Sequence, residues 1–114
     1  MTSAWQPIDG IDPEEATFPL RTKLGGEKIV VFREGDDYWA VERYCPHQHT
    51  DFSRGAIVGN GTMIRCGLHA YTFNLSDGSG VNCPGYTINI YEVRREGTRL
   101  MGRPITTGDY TKGR

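Results

Sequence analysis

Two six-residue stretches, CPHQHT at 45–50 and CGLHAY at 66–71, constrain this chain more than anything else in it. Together they hold two of its three cysteines and all three of its histidines. Each opens on a cysteine, with a histidine two or three residues later. The residues around them are short apolar runs broken by glycine, so both stretches read as loops between strands.

The strand reading covers nearly the whole chain. In KIVVFREGDDYWAVERY the run Ile29–Phe32, a Glu-Gly-Asp-Asp turn and Tyr38–Val41 make a β-hairpin signal. AIVGNGTMIRC repeats the pattern across a Gly-Asn-Gly turn. TINIYEV alternates loosely, and Arg99–Met101 closes a further hairpin across Arg95-Glu96-Gly97. Trp5 is expected to start a first strand. The only helix signal is DPEE at 12–15, a single turn with Asp12 as cap and Pro13 in its first position. The tail 103–114 is polar and expected to be flexible. Fifteen glycines and no internal repeat predict one all-β domain over 1–114, a small antiparallel sandwich or barrel.

The first loop follows the 38–42 strand and the second follows the 63–65 strand, with a hairpin over 52–65 between them. Loops hung from neighbouring strands of a hairpin can face each other, bringing two thiolates and two imidazoles together. Two Cys and two His make an ordinary structural zinc set, so a zinc-binding structural module is one reading. Zinc spacing, however, pairs like with like, whereas here each loop gives one thiolate and one imidazole. Cys45 and His47 are separated by a single residue, an awkward reach for one tetrahedral ion. A two-iron, two-sulfide cluster fits better, each loop giving its cysteine to one iron and its histidine to the other.

The pattern Cys45-Pro46-His47 with Cys66-Gly67-Leu68-His69 resembles the Rieske iron–sulfur motif. CPHQ, SRG at 53–55, CGLHAYTFN and DGSGVN extend the resemblance over roughly 27–101. They look most like the small ferredoxins of multicomponent oxygenases, in particular the ferredoxin component of soluble di-iron toluene and alkene monooxygenases. One departure is the eighteen residues between His47 and Cys66, slightly more than the family norm, which the VGNGT turn can absorb.

The resemblance implies a Rieske fold with a cluster-binding subdomain of two loops, 45–50 and 66–73. It implies one [2Fe–2S] cluster held by Cys45, His47, Cys66 and His69. The histidines would lie at an exposed tip, where partners dock and electrons leave. Loop amides near Gln48, His49, Leu68 and Ala70 would bond the sulfides. Thr50 and Leu68 stand where respiratory-type Rieske proteins place a disulfide, and Tyr71 and Phe73 where they place hydroxyl donors. Both absences imply the low end of a potential range of roughly −150 to +300 mV. The ligand imidazoles would also make that potential fall at alkaline pH. His49 reads as a loop-tip or docking residue and Cys83, beside Pro84, as a shielded thiol of a third loop. Tyr71 and Phe73 read as packing around the second loop, and Tyr38 and Trp39 as hairpin core.

The function implied is electron transfer without a substrate of its own, so not an enzyme. Electrons would pass from an NAD(P)H-dependent flavin or iron–sulfur reductase to an oxygenase component, a monooxygenase rather than a ring-hydroxylating dioxygenase. A Rieske-like small subunit of a nitrite reductase is the alternative within the family.

Charge and hydropathy exclude other classes. Thirteen basic against fourteen acidic residues give a formal charge of −1, no electrostatic case for nucleic acid. Residues 1–51 carry ten acids and five bases, residues 52–114 four and eight, which reads as ordinary solvation of two stretches. No run approaches the roughly 18 apolar residues of a membrane span. The N-terminus lacks the basic start and apolar run of a signal peptide, so a cytoplasmic location is expected; the chain is also expected to be a monomer.

Overall fold

The computed structural model describes residues 5–8, 12–45, 50–59, 61–66, 71–82 and 85–105. Its strands are β1 (Gln6–Pro7), β2 (Leu20–Leu24), β3 (Glu27–Glu34), β4 (Asp37–Glu42), β5 (Ala56–Val58), β6 (Met63–Arg65), β7 (Thr72–Asn74), β8 (Ile90–Glu96) and β9 (Arg99–Pro104). All pairings are antiparallel, in a six-stranded sheet ordered β1-β9-β8-β4-β3-β2 and a three-stranded sheet ordered β5-β6-β7. The all-β expectation holds.

The topology has one decisive feature. β4 and β8 are neighbours in the large sheet, with Val41 opposite Ile90, yet 47 residues, 43 to 89, separate them in sequence. Everything between them, including both Cys/His stretches and the small sheet, is an insertion between adjacent strands.

Strand β3 shows why the two layers hold together. Successive side chains leave a strand on opposite faces. Ile29 and Val31 enter one apolar cluster with Ile8, Leu24, Ala40, Tyr91 and Leu100. These come from, or adjoin, all six strands of the large sheet, so that sheet curls around them. Val30 and Phe32 enter a second cluster with Val41, Ile64, Phe73, Leu75, Ile88 and Ile90, between the large sheet and the small one. The unbroken Ile-Val-Val-Phe run is therefore a strand buried on both faces. Tyr38 and Trp39 divide likewise, each half-buried beside a different cluster.

Expected hairpins appear at 27–42, 56–65 and 90–104, while Asp12–Glu15 is a turn in which the Glu15 and Ala16 amides donate to the Asp12 carbonyl. Trp5 precedes β1 and lies under the Arg94 and Arg103 guanidinium groups, 4.2 and 4.5 Å from its ring centroid. Two expectations need correction, and one strand is additional. The additional strand is β2, whose Leu-Arg-Thr-Lys-Leu pattern is too short and too charged to signal a strand. The second loop ends at Tyr71 rather than 73, since Thr72 and Phe73 pair with Arg65 and Ile64. Nor does a loose tail begin at 103: Arg103 and Pro104 pair with Glu92 and Tyr91, and the Ile105 amide donates to the Ile90 carbonyl. Residues 106–114 lie outside those described. No helix among the described residues is long and apolar enough to cross a membrane.

Candidate metal centre

Cys45 and Cys66 each head a loop closed in the same way. The Cys45 amide donates to the Thr50 carbonyl at 2.9 Å, and the Cys66 amide to the Tyr71 carbonyl at 2.7 Å. Antiparallel pairing continues below each neck, Tyr44 with Asp51 in the first and Arg65 with Thr72 in the second. The β5–β6 hairpin separates the two loops, as the sequence suggests. The first leaves the end of large-sheet strand β4, whereas the second joins β6 to β7. They converge because the small sheet folds back on the large one.

That convergence is apolar. Cys45 is 0% and Cys66 1% exposed, and both belong to the cluster formed by Phe52, Ile64, Phe73 and their neighbours. Both carry thiols. Sulfur ligands kept dry at the heads of two closed loops are a donor set suited to iron, and the residues present fit a [2Fe–2S] group. His47 and His69 fall in 46–49 and 67–70, outside the described residues, as do His49, Gln48, Leu68, Ala70, Cys83 and Pro84. Among the described residues no three His, Cys, Asp or Glu side chains gather as a metal site.

A third segment closes beside the second loop. Val81 N–H donates to the Thr72 carbonyl at 2.7 Å, and Thr72 N–H to Asn82 Oδ1 at 2.9 Å. The Gly80 amide reaches the Tyr86 carbonyl, closing a loop over 81–86. The exposed large apolar side chains among the described residues are Tyr44, Val81 and Tyr86, all at loop necks.

Sequence reasoning missed a charged pair at the first neck. Arg43 Nε donates to Asp51 Oδ2 at 2.7 Å, and Asp51 Oδ1 accepts the Ser53 amide at 2.9 Å, capping the 3-10 turn Phe52–Arg54. Arg21 stands 3.7 Å from the same carboxylate. Burial pushes the Asp51 carboxyl up, but the bonds from Arg43 and Ser53 outweigh it and hold the group below the usual carboxylate range. The Asp-x-Ser cap was the available signal.

A small sheet inserted into a curled larger one, with two cysteine-headed loops at the join, is the build of an all-β iron–sulfur domain. The Rieske [2Fe-2S] domain model matches residues 4–92, and the chain belongs to that family, with one Rieske-type [2Fe–2S] cluster as its cofactor. The zinc reading gives way accordingly.

The chain is 28% identical over 92 residues to the anthranilate 1,2-dioxygenase ferredoxin subunit of Burkholderia cepacia, covering 79% of this chain and 82% of that one. It is 30% identical over 71 residues to the 5,5'-dehydrodivanillate O-demethylase oxygenase subunit of Sphingobium sp. (strain NBRC 103272 / SYK-6), covering 61% of this chain but only 16% of that subunit's length. Among solved structures, the ferredoxin of carbazole 1,9a-dioxygenase from Nocardioides aromaticivorans IC177 superposes with a TM-score of 0.70 at 22% identity, over 90% of this chain and 99% of that one. A putative nitrite reductase NADPH small subunit superposes with a TM-score of 0.73 at 17% identity, over 89% and 99%. Both superpositions agree on the fold.

Proposed function

We propose that this protein is a low-potential Rieske ferredoxin. It carries single electrons from an NAD(P)H-dependent flavin or iron–sulfur reductase to the terminal component of a multicomponent oxygenase, and it has no substrate of its own. Cys45, His47, Cys66 and His69 hold the cluster in this reading. The observation that carries it is the pair of alike loop necks, each headed by a buried cysteine and both opening from one apolar cluster. When bound, the cluster takes up and releases one electron. The chain's own part is to keep the thiols dry, hold the two loops at a fixed spacing and present His47 and His69 at the tip where partners dock.

The match to the anthranilate 1,2-dioxygenase ferredoxin subunit over 82% of that subunit's length supports the carrier reading. The motif resemblance favours a di-iron aromatic or alkene monooxygenase as acceptor. The ferredoxin subunits matched by sequence serve dioxygenases, which makes a ring-hydroxylating dioxygenase the competing acceptor. A nitrite reductase small subunit is the second reading, favoured by the superposition at a TM-score of 0.73. The carrier is proposed to act in the cytoplasm as a monomer.

Reconstitution tests this. The reduced protein should support turnover of an oxygenase component and should dissociate from it on gel filtration. Persistent co-purification with a nitrite reductase would overturn the shuttle. Alanine at Cys45, His47, Cys66 or His69 should abolish the Rieske electron paramagnetic resonance signal, while His49→Ala and Cys83→Ser should keep it.

A further inference from the structure

The two ligand loops are necked alike in their backbones but differently in their side chains. At the second neck the added tie is neutral, Thr72 N–H to Asn82 Oδ1. At the first it is ionic. Arg43 lies two residues before Cys45, and Asp51 directly follows Thr50, whose carbonyl accepts the Cys45 amide. The guanidinium and carboxylate meet at 2.7 Å, with only 25% and 14% of their side chains exposed. Arg43 is itself held, its Cζ 5.1 Å from the Tyr44 ring centroid and its carbonyl accepting the Phe52 amide at 2.7 Å. Asp51 is held from the other side by Ser53. Both charges are thus tied to each other at the neck of the loop that Cys45 heads.

We infer that Arg43 and Asp51 are a positioning pair for the cluster, a charge-balanced clasp that fixes the Cys45 loop and sets the reduction potential. The inference rests on the Rieske ferredoxin reading above. A fixed positive charge near a redox centre favours the reduced form and a fixed negative charge the oxidised form. Each member of the pair cancels most of the other's effect. Removing one therefore moves the potential in the direction set by the charge left behind, which simple loosening of a loop does not do.

The test uses full-length, cluster-loaded protein and the variants Asp51→Asn, Arg43→Gln and the two combined. Asn at 51 keeps an oxygen for the Ser53 amide, so the 3-10 turn stays capped while the charge is lost. Asp51→Asn should shift the midpoint potential upward and Arg43→Gln downward, and the double variant should return close to the parent. In cluster-free protein, hydrogen exchange at the Cys45 and Phe52 amides should quicken roughly tenfold in Asp51→Ala, as expected for loss of a charged hydrogen bond. Exchange at Cys66 should stay unchanged. Shifts of the same sign in both single variants, or a double variant further from the parent than either, would overturn the inference. So would unchanged exchange at Cys45. Failure of the parent itself to give a Rieske signal would instead remove the ferredoxin reading, a separate and recognisable outcome.

Discussion

Phe52 and Phe73 meet edge to face at the centre of the molecule, their ring centroids 5.9 Å apart and their planes at 78°. Each stands seven residues after a cysteine, Phe52 after Cys45 and Phe73 after Cys66. Both rings are fully buried in the cluster that holds the two thiols. The contact ties the far side of one loop neck to the far side of the other, so it fixes the spacing between loops carried on different sheets.

Truncating either ring should therefore damage both stability and cluster loading. Phe52→Ala or Phe73→Ala should each cost about 3–5 kcal/mol in urea unfolding of the cluster-free protein. A double-mutant cycle should show coupling of about 0.5–1.5 kcal/mol, beyond what burial of two separate rings would give. Iron bound per chain should fall in both single variants. Full loading with an alanine at either position would show that the ring contact does not set the loop spacing.

The two cysteine-headed loop necks and most hairpins are legible in the sequence because their signals are local. Gly35-Asp36 between two apolar runs and the cysteine–histidine spacing need no partner elsewhere in the chain. The points that escaped are long-range. Nothing around Glu42 or Ile90 says that β4 and β8 are neighbours, so the sequence does not show that both loops lie in an insertion between adjacent strands. The Ile29–Phe32 run reads the same whether one face or both are buried, and only the second sheet settles it. Thr72 and Phe73 looked like loop because the motif overlaps a strand of three residues. Arg43 and Asp51 became visible as a pair only once the neck between them was closed.

Glycine 78 tests how tightly the third segment is seated. Its φ is +82°, and a Cβ there would lie 2.0 Å from the Ile88 carbonyl oxygen. Gly35 has a similar φ of +63° but open space around it. Gly35→Ala should cost about 1 kcal/mol, the price of positive φ alone. Gly78→Ala should cost about 2–4 kcal/mol, because backbone must also move and the Ile88 amide bond to the Gly78 carbonyl is disturbed. Equal losses in chemical denaturation would show that the close approach does not matter.

Glu42, at the end of β4, reaches across to accept the Asn89 amide at 2.6 Å. Burial pushes its carboxyl above the usual range; the Asn89 bond acts against this, and Glu27 adds a smaller upward push. A folded-state value above the unfolded one, about 4.3, means that the folded protein binds this proton more tightly. Glu42 therefore withdraws stability as pH rises through the unfolded and then the raised folded value. Glu42→Gln keeps an oxygen for the Asn89 amide and removes the charge. Its Tm should exceed the parent's at pH 7, and the two should converge at about pH 3, where Glu42 is protonated in both states. A difference independent of pH would assign the effect to packing rather than to ionisation.

Asn82 joins the third segment to the second ligand loop, its Oδ1 accepting the Thr72 amide one residue beyond Tyr71. The bond is neutral and exposed, so its loss should be modest. Asn82→Ala should cost about 1 kcal/mol, and Asn82→Asp, which keeps an acceptor, clearly less. The loss should be the same at low and high ionic strength, whereas a tie that depended on charge would weaken as salt is added. Because the amide sits at the neck of the Cys66 loop, hydrogen exchange at Thr72 and Cys66 should quicken in Asn82→Ala while Cys45 keeps its protection. Faster exchange at both cysteines would instead show that the two necks open together, as one cooperative unit rather than two.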